Sequence, residues 1–311
     1  MKKVIGLGNC LVDILVQLQD ERLLTELALP EGSMQIIDDI EKEKIDLRLQ
    51  YEKTSKVPGG SAANTIKALA HEGVEVGFIG KVANDANGAF FANELQSLGV
   101  KTQLVVTSAG ATGEATTFIS HNGQRTFATY LGVSSTLGVE DVLPQMLEGY
   151  DILYVEGYLV QNYSLMDYVM QTAKQMGMTI CLDLASYNIV EEQRGFFTYL
   201  LEQFVDIVFA NEEESRALTE KNPAQALTQL ASLCDIAVVK LGAGGSSAQH
   251  GDETVRIPAE PVEKVVDTTG AGDFFAAGFL SALINGASLE DCLKKGGQLS
   301  AKVIQQVGVT V

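Results

Sequence analysis

Asp267-Thr-Thr-Gly-Ala-Gly-Asp273-Phe-Phe-Ala-Ala-Gly278 is the stretch on which the fold turns. Gly270-Ala271-Gly272 is a small-residue turn whose backbone can come close to a ligand. From about Asp273 onward Phe275, Phe279 and Leu280 recur at helical spacing, so the turn opens a helix. The first N–H groups of that helix have no intrahelical partner and point out of its end. Such an end is an anion site suited to a phosphate. Asp273 stands at the same mouth, either as a base beside the anion or as a carboxylate that caps the helix.

Far upstream, Val57-Pro-Gly59-Gly60-Ser61-Ala-Ala-Asn64-Thr-Ile-Lys-Ala-Leu-Ala70 is a second glycine turn before a helix. Ser61 is the expected cap, and Ala62, Ile66, Leu69 and Ala70 share one face. Gly59-Gly60 is either a plain loop or bare backbone that, with the Asn64 amide, meets a polar ligand. Between the two motifs, from Val76 on, strands and helices alternate. Candidate strands are VGFIGKV, DILYVEG, MTICLDL, DIVFAN and DIAVVKLG, with helical patterns around 86–98, 163–176, 191–204 and 212–233. Repeated β-α-β units predict an α/β fold, a mostly parallel sheet between helical layers. Ligands bind beyond the carboxyl ends of such strands.

Asn211 and Glu214 follow one strand and share a helix face, as an N-cap with an acidic first turn or as ligand-facing groups. Lys240-Leu-Gly242-Ala-Gly-Gly245 reads as a strand and a glycine-rich loop. No G-x-x-x-x-G-K-[ST] occurs, which excludes a standard P-loop. Two further segments are β-rich: 14–51, with a helix around Glu41 to Leu49, and Ala115 to Leu131, where His121-Asn122-Gly123 signals a hairpin.

The 311 residues carry a formal net charge of -18, against sequence-independent binding to nucleic acid or anionic membranes. A local anion hole and a metal ion still admit a nucleotide. The four cysteines (Cys10, Cys181, Cys234, Cys292) and three histidines form no metal or disulfide framework, and a cytoplasmic location fits. Lys3 to Gly8 reads as a buried first strand. Met1-Lys2-Lys3 and the apolar run after it imitate a signal peptide, but Asp13 interrupts the run and no cleavage site follows. Gly6-Leu7-Gly8 lacks the third glycine of a dinucleotide fingerprint, because Leu11 stands in its place. A dehydrogenase reading is therefore rejected.

VVDTTGAGDFFAAGFL resembles the C-terminal signature of the ribokinase-like (PfkB-type) carbohydrate and nucleoside kinases, and Gly59-Gly60-x-x-x-Asn64 resembles their N-terminal one. The resemblance covers nearly the whole chain. It implies a ribokinase-like three-layer α/β/α core over 1–311, with a small β-sheet lid formed by insertions at about 14–51 and 100–131. It implies ATP as co-substrate with Mg²⁺, and leaves a requirement for a monovalent cation such as K⁺ open. Gly270, Ala271 and Gly272 would hold the transferring phosphate, and Asp273 would deprotonate the acceptor hydroxyl. Asn211, Lys240, Gly242, Gly245, Thr269 and, on the closing lid, Arg125 would serve ATP, and Glu214 would organise Mg²⁺ through water. Asn9, Leu11, Asp13, Gln35, Gly59, Gly60 and Asn64 resemble the ribose-contacting set of adenosine kinases, as does the tail from Ser300 to Thr310. Tyr158 falls where that subgroup stacks an aromatic ring on the base, though a core or rim tyrosine would look the same. The expected activity is transfer of the γ-phosphate to a primary hydroxyl of a ribose-bearing substrate, adenosine-like nucleosides ahead of free sugars. A catalytically silent nucleotide- or sugar-binding regulator is the reading from another class. A homodimer could form through an exposed lid edge.

Overall fold

The computed structural model describes residues 2–18, 22–50, 54–120, 125–306 and 308–309. Along the chain come β1 (Val4–Leu7), β2 (Leu11–Gln17), α1 (Arg22–Glu26), β3 (Met34–Ile36), α2 (Asp39–Leu49), β4 (Thr54–Gly59) and α3 (Ser61–His71). Then follow β5 (Val76–Ala83), α4 (Ala86–Ser97), β6 (Lys101–Thr107), β7 (Gly113–Ile119) and β8 (Arg125–Tyr130). The second half alternates β9 (Ile152–Glu156), α5 (Tyr163–Gln175), β10 (Thr179–Asp183), α6 (Tyr187–Glu192), α7 (Arg194–Gln203), β11 (Ile207–Asn211), α8 (Glu212–Thr219), α9 (Pro223–Ala231) and β12 (Ile236–Lys240). The hairpin β13 (Ser246–His250) and β14 (Glu253–Ile257) leads to α10 (Ala271–Ile284) and α11 (Leu289–Val303).

Nine strands form one sheet in the order β14-β13-β12-β11-β10-β9-β1-β5-β6. It is parallel from β12 through β6, and antiparallel only at β13 and β14. Its central strands are apolar at nearly every position because both faces are covered. Phe78, Tyr154, Phe209 and Val238 share one core with side chains of α3, α4, α10 and α11. Leu153, Val155, Ile180, Leu182 and Val208 share the other with α5, α7, α8 and α9. The three layers expected from the alternating pattern are present. Two expected helices are each broken in two. At 191–204 the break falls at Gln193. At 212–233, Glu220 takes a left-handed conformation, and Asn222 caps a new helix that begins on Pro223. Proline lacks the N–H that a continuing helix needs, but it suits a first turn.

Five strands form a second sheet in the order β3-β8-β7-β2-β4. β6, inside the 100–131 stretch expected in this sheet, instead pairs with β5 at the edge of the large one. The hairpin joining β7 to β8 pairs Ile119 with Arg125, and its turn at His121–Gly123 lies outside the described residues. On one face Val12, Ile14, Val16, Phe118 and Ala128 join the core that includes Ile45 and Leu49 of α2. The other face carries Asp13, Ala115, Thr129 and Ile36 in register. Only three residues separate β1 from β2, and only Gly60 separates β4 from α3. The small sheet is therefore tied to the carboxyl edge of the large one. Among the described residues no helix is long and apolar enough to cross a membrane.

Candidate active site

α10 begins where Gly270 takes a left-handed conformation (φ 76°), which a side chain would resist. Asp273 lies in its first turn, half-buried. It does not cap its own helix. Its Oδ1 accepts from Ser61 Oγ at 2.7 Å and its Oδ2 from Asn64 Nδ2 at 3.0 Å, both on α3. The two glycine motifs, some two hundred residues apart, thus meet through one carboxylate. Burial pushes that carboxyl up to about 6, against the pull of the Asn64 and Ser61 hydrogen bonds. Ser61, expected as a cap, is the first helical residue; Gly60 takes the cap position, and the Ser61 hydroxyl goes to Asp273 instead. Asn64 is buried, and its Oδ1 has no hydrogen-bond partner. An orphaned buried acceptor is costly unless a ligand donates to it.

Around Asp273 are two polar groups. On one side Asp13 of β2 lies against the glycine turn, since a Cβ on Gly59 would stand 2.0 Å from its Oδ1. Gly60 has φ 88°, and a Cβ there would meet the Asn9 carbonyl at 2.4 Å. Asn9 donates its backbone N–H (2.8 Å) and side-chain amide (2.7 Å) to Glu156 Oε1, while Ala62 N–H donates to Oε2 at 2.9 Å. Glu156 is 1% exposed, and burial pushes its carboxyl up to about 7 despite those donors. Gly8 lies against it too, and Gly6 against Ile66, so the Gly6-Leu7-Gly8 run is explained by packing.

On the other side Lys240, at the end of β12, pairs with Asp183 Oδ2 at 2.8 Å. A Cβ on Gly272 would stand 3.1 Å from its Nζ, which places the ammonium beside the amides of the α10 N-terminus. Burial lowers the Lys240 pKa, but Asp183 and Glu214 outweigh that and raise it. Glu214 forms a reciprocal capping box with Asn211, whose N–H and amide it accepts at 2.7 and 2.6 Å. It is buried, and burial pushes its carboxyl up, with Lys240 opposing. Among the described residues no three His, Cys, Asp or Glu stand at metal-binding spacing. Asp183, Glu214 and Asp273 all act on the one ammonium of Lys240. With no direct cage of carboxylates, the chemistry present suits at most a divalent ion that keeps its water shell and meets the buried Glu214 carboxylate through it.

Arg125 reaches across from β8 of the small sheet to Asp267 Oδ2 (2.8 Å) and Thr269 Oγ1 (3.2 Å). Asp267 also accepts from Thr269 N–H at 2.9 Å and Gly308 N–H at 2.7 Å. One buried carboxylate thus fastens the small sheet, the signature loop and the C-terminal tail. Gly242 starts a short turn in open space, whereas Gly245 is pressed on the Ile257 carbonyl and serves the hairpin's packing. Tyr158 is half-buried and donates to the Ala185 carbonyl at 3.3 Å. Leu11 lies on the Asp13 face beside Gly113. Gln35 does not. It pairs with Ala128 and so stands on the opposite face, while its neighbours Met34 and Ile36 stand on the Asp13 face. Reading the sequence passes over Glu156 and Asp183. Their signal was position: each is an acid closing an apolar strand, at the end where ligands bind.

A glycine-opened helix end, a first-turn carboxylate oriented by α3 and a small sheet tied to the same loop through Arg125 fit a small-molecule kinase. A model of the pfkB family of carbohydrate kinases matches residues 32–311, and the chain belongs to that family. Its structure superposes on an adenosine kinase from Sinorhizobium meliloti with a TM-score of 0.91, 34% identity, and 100% and 96% of the two chains covered. It superposes on a probable sugar kinase from Rhizobium etli with a TM-score of 0.90, 33% identity, and 99% and 94% covered. An adenosine kinase from Saccharomyces cerevisiae is 26% identical over 98% of this chain and 95% of its own length. The protein is an ATP-dependent kinase that phosphorylates a hydroxyl of a sugar or nucleoside.

Proposed function

We propose that the acceptor is a nucleoside of the adenosine type, phosphorylated on its primary ribose hydroxyl. The observation that carries this reading is the apolar surface on the Asp13 face of the small sheet. There Met34 and Ile36 remain 43% and 54% exposed beside Phe127, with Leu11 on the same face. Large apolar side chains left open beside a polar clamp suit a flat base, whereas a free sugar would leave them wet. The half-buried ring of Tyr158 would serve the same base.

In this reading Asp13 accepts two ring hydroxyls, Asn9 and the Gly59–Gly60 backbone flank them, and the Asn64 Oδ1 takes a further hydroxyl proton. Asp273 removes the proton of the attacking hydroxyl. The Gly270, Ala271 and Gly272 amides and Lys240 stabilise charge on the transferring phosphate as preorganised donors. Thr269 and Arg125 hold the phosphate chain, and Asn211, Gly242 and Gly245 border the rest of ATP. Mg²⁺ fits at Glu214 through water, where it would neutralise charge on the β- and γ-phosphates. The small sheet acts as a lid that excludes water, a competing acceptor. Its outer strand β4, with Thr54 to Lys56 exposed, is the edge along which a second copy would pair. Four free cysteines support a cytoplasmic setting.

ADP release with Mg-ATP, measured across adenosine, other nucleosides, ribose, fructose and keto-sugar acids, tests the reading. Adenosine is expected to give the highest kcat/KM. A higher value for a free sugar would overturn the nucleoside assignment in favour of a sugar kinase, and no turnover with any acceptor would favour a binding protein. Adding K⁺ to the same assay reads the monovalent-cation dependence.

A further inference from the structure

Lys67 is 1% exposed, although it sits in the middle of α3. Its Nζ donates to the Pro58 carbonyl at 2.5 Å. Pro58 immediately precedes Gly59, the residue against which the Asp13 carboxylate is pressed, and pairs with Val12 across the β2–β4 ladder. Burial lowers the Lys67 pKa to about 8, and the charges of Asp13 foremost, then Asp273 and Glu94, oppose that shift. Those that reach Asp13 are Lys67, Asp273, Asp267 and Arg125. A buried ammonium is costly to desolvate, and a leucine or methionine would pack the same helix position more cheaply. Ala62, Ala63, Ile66, Ala68 and Leu69 show what the core otherwise selects there. A cation retained in such a place has an electrostatic task.

We propose that Lys67 is the positioning residue of the acceptor clamp, pinning through the Pro58 carbonyl the Pro58–Gly60 turn on which Asp13 rests and supplying buried positive charge to that carboxylate. The proposal rests on the assignment of Asp13 to the acceptor's hydroxyls. Both oxygens of Asp13 can accept hydroxyl protons only in the ionised form. Burial, with Asp273 and Asp267 adding to it, pushes the Asp13 carboxyl up to about 7, and Lys67 is the strongest charge opposing that shift. The ammonium touches neither phosphate nor reacting hydroxyl in this scheme. It acts through the clamp.

The test is the pH dependence of kcat/KM for adenosine between about pH 5.5 and 9 in wild type, Lys67→Met and Lys67→Arg. Lys67→Met is expected to raise the adenosine KM about tenfold or more and to move the acid limb up by about one pH unit. The KM for ATP should stay within about twofold, and Lys67→Arg should keep the wild-type limb. Combining Lys67→Met with Asp13→Asn should cost clearly less than the product of the two separate losses, because part of the lysine's effect runs through that carboxylate. An unmoved limb, or fully additive losses, would overturn the proposal and leave Lys67 a packing residue. Should the methionine variant not fold, Lys67→Gln, which keeps a donor for Pro58 without the charge, carries the same reading. Wild-type turnover of adenosine checks the function assigned above. If the acceptor screen selects a sugar, the same series is run with that sugar, so the two claims fail separately.

Discussion

Asp273 illustrates how a residue's neighbours select its role. A first-turn carboxylate needs no explanation beyond the helix end, yet this one spends its oxygens on Ser61 and Asn64 of another helix. Two donors orient it while burial raises its pKa to about 6. As the proposed base, a carboxylate with that value is ionised at neutral pH and still holds a proton well. Asp273→Asn should therefore lower kcat by about 10² to 10⁴, with the melting temperature little changed. In wild type, kcat at saturating acceptor should fall about tenfold per unit as pH drops below about 6, since the protonated Asp273 carboxyl cannot act. Activity of the asparagine variant near wild type would reduce Asp273 to a tether between two helices. At this scale the glycine turns marked Asp273, Asn64 and Gly59 as candidates, and the family resemblance decided between a site and a plain loop. Lys67 and Glu156 were not. A lysine in a helix reads as solvated, and only tertiary burial reveals otherwise. The glutamate's three donors come from the end of β1 and the start of α3, about a hundred residues or more away.

At the scale of elements, the proposed anion site depends on how α10 packs. Gly278 faces α11, where a Cβ would come within 2.5 Å of the Lys295 carbonyl and 2.9 Å of Gly296. Backbone cannot yield as a side-chain tip does, so Gly278→Ala must push the two helices apart. The expected cost is about 1–3 kcal/mol of stability. Because α10 carries Gly270 to Asp273 at its other end, kcat should drop by more than the loss of folded protein explains. Denaturant unfolding alongside active-site-normalised rates checks this, and an alanine variant with wild-type stability would show that the helices have slack. Elements were largely legible where period and punctuation agreed, as in the parallel strands and the β7–β8 pair. Two misreadings have physical causes. β6 is a β-rich run like those of the small sheet, and only its partner, β5, assigns it to the large one. Gln35 was misplaced by a single position, which in a strand exchanges one face for the other.

Across the whole molecule, the formal charge of -18 is compounded by acids held where charge is unfavourable. Asp13, Glu156, Glu214 and Asp273 all have carboxyl pKa values raised, with burial the largest cause in each. A carboxyl with a higher pKa folded than unfolded binds more protons in the native state between the two values. Stability must then fall as pH rises through that window. For Glu156 the window runs from 4.5 to about 7, equivalent to about 3 kcal/mol when fully ionised. Carboxylates stabilised by partners, such as Asp85 and Asp141, have lowered values and act at lower pH. Between about pH 5 and 7.5 the raised group should dominate. The urea midpoint of the ligand-free protein is therefore expected to decline across that range, while activity climbs as Asp273 ionises. Glu156→Gln, which cannot ionise, should flatten the decline by about half or less, the other three acids retaining the rest. A wild-type midpoint that rises steadily from pH 5 to 7.5 would mean these carboxyls are better solvated than their surroundings imply. Opposed pH trends in stability and rate would instead identify the charged cleft as a cost carried by the fold for the sake of the reaction.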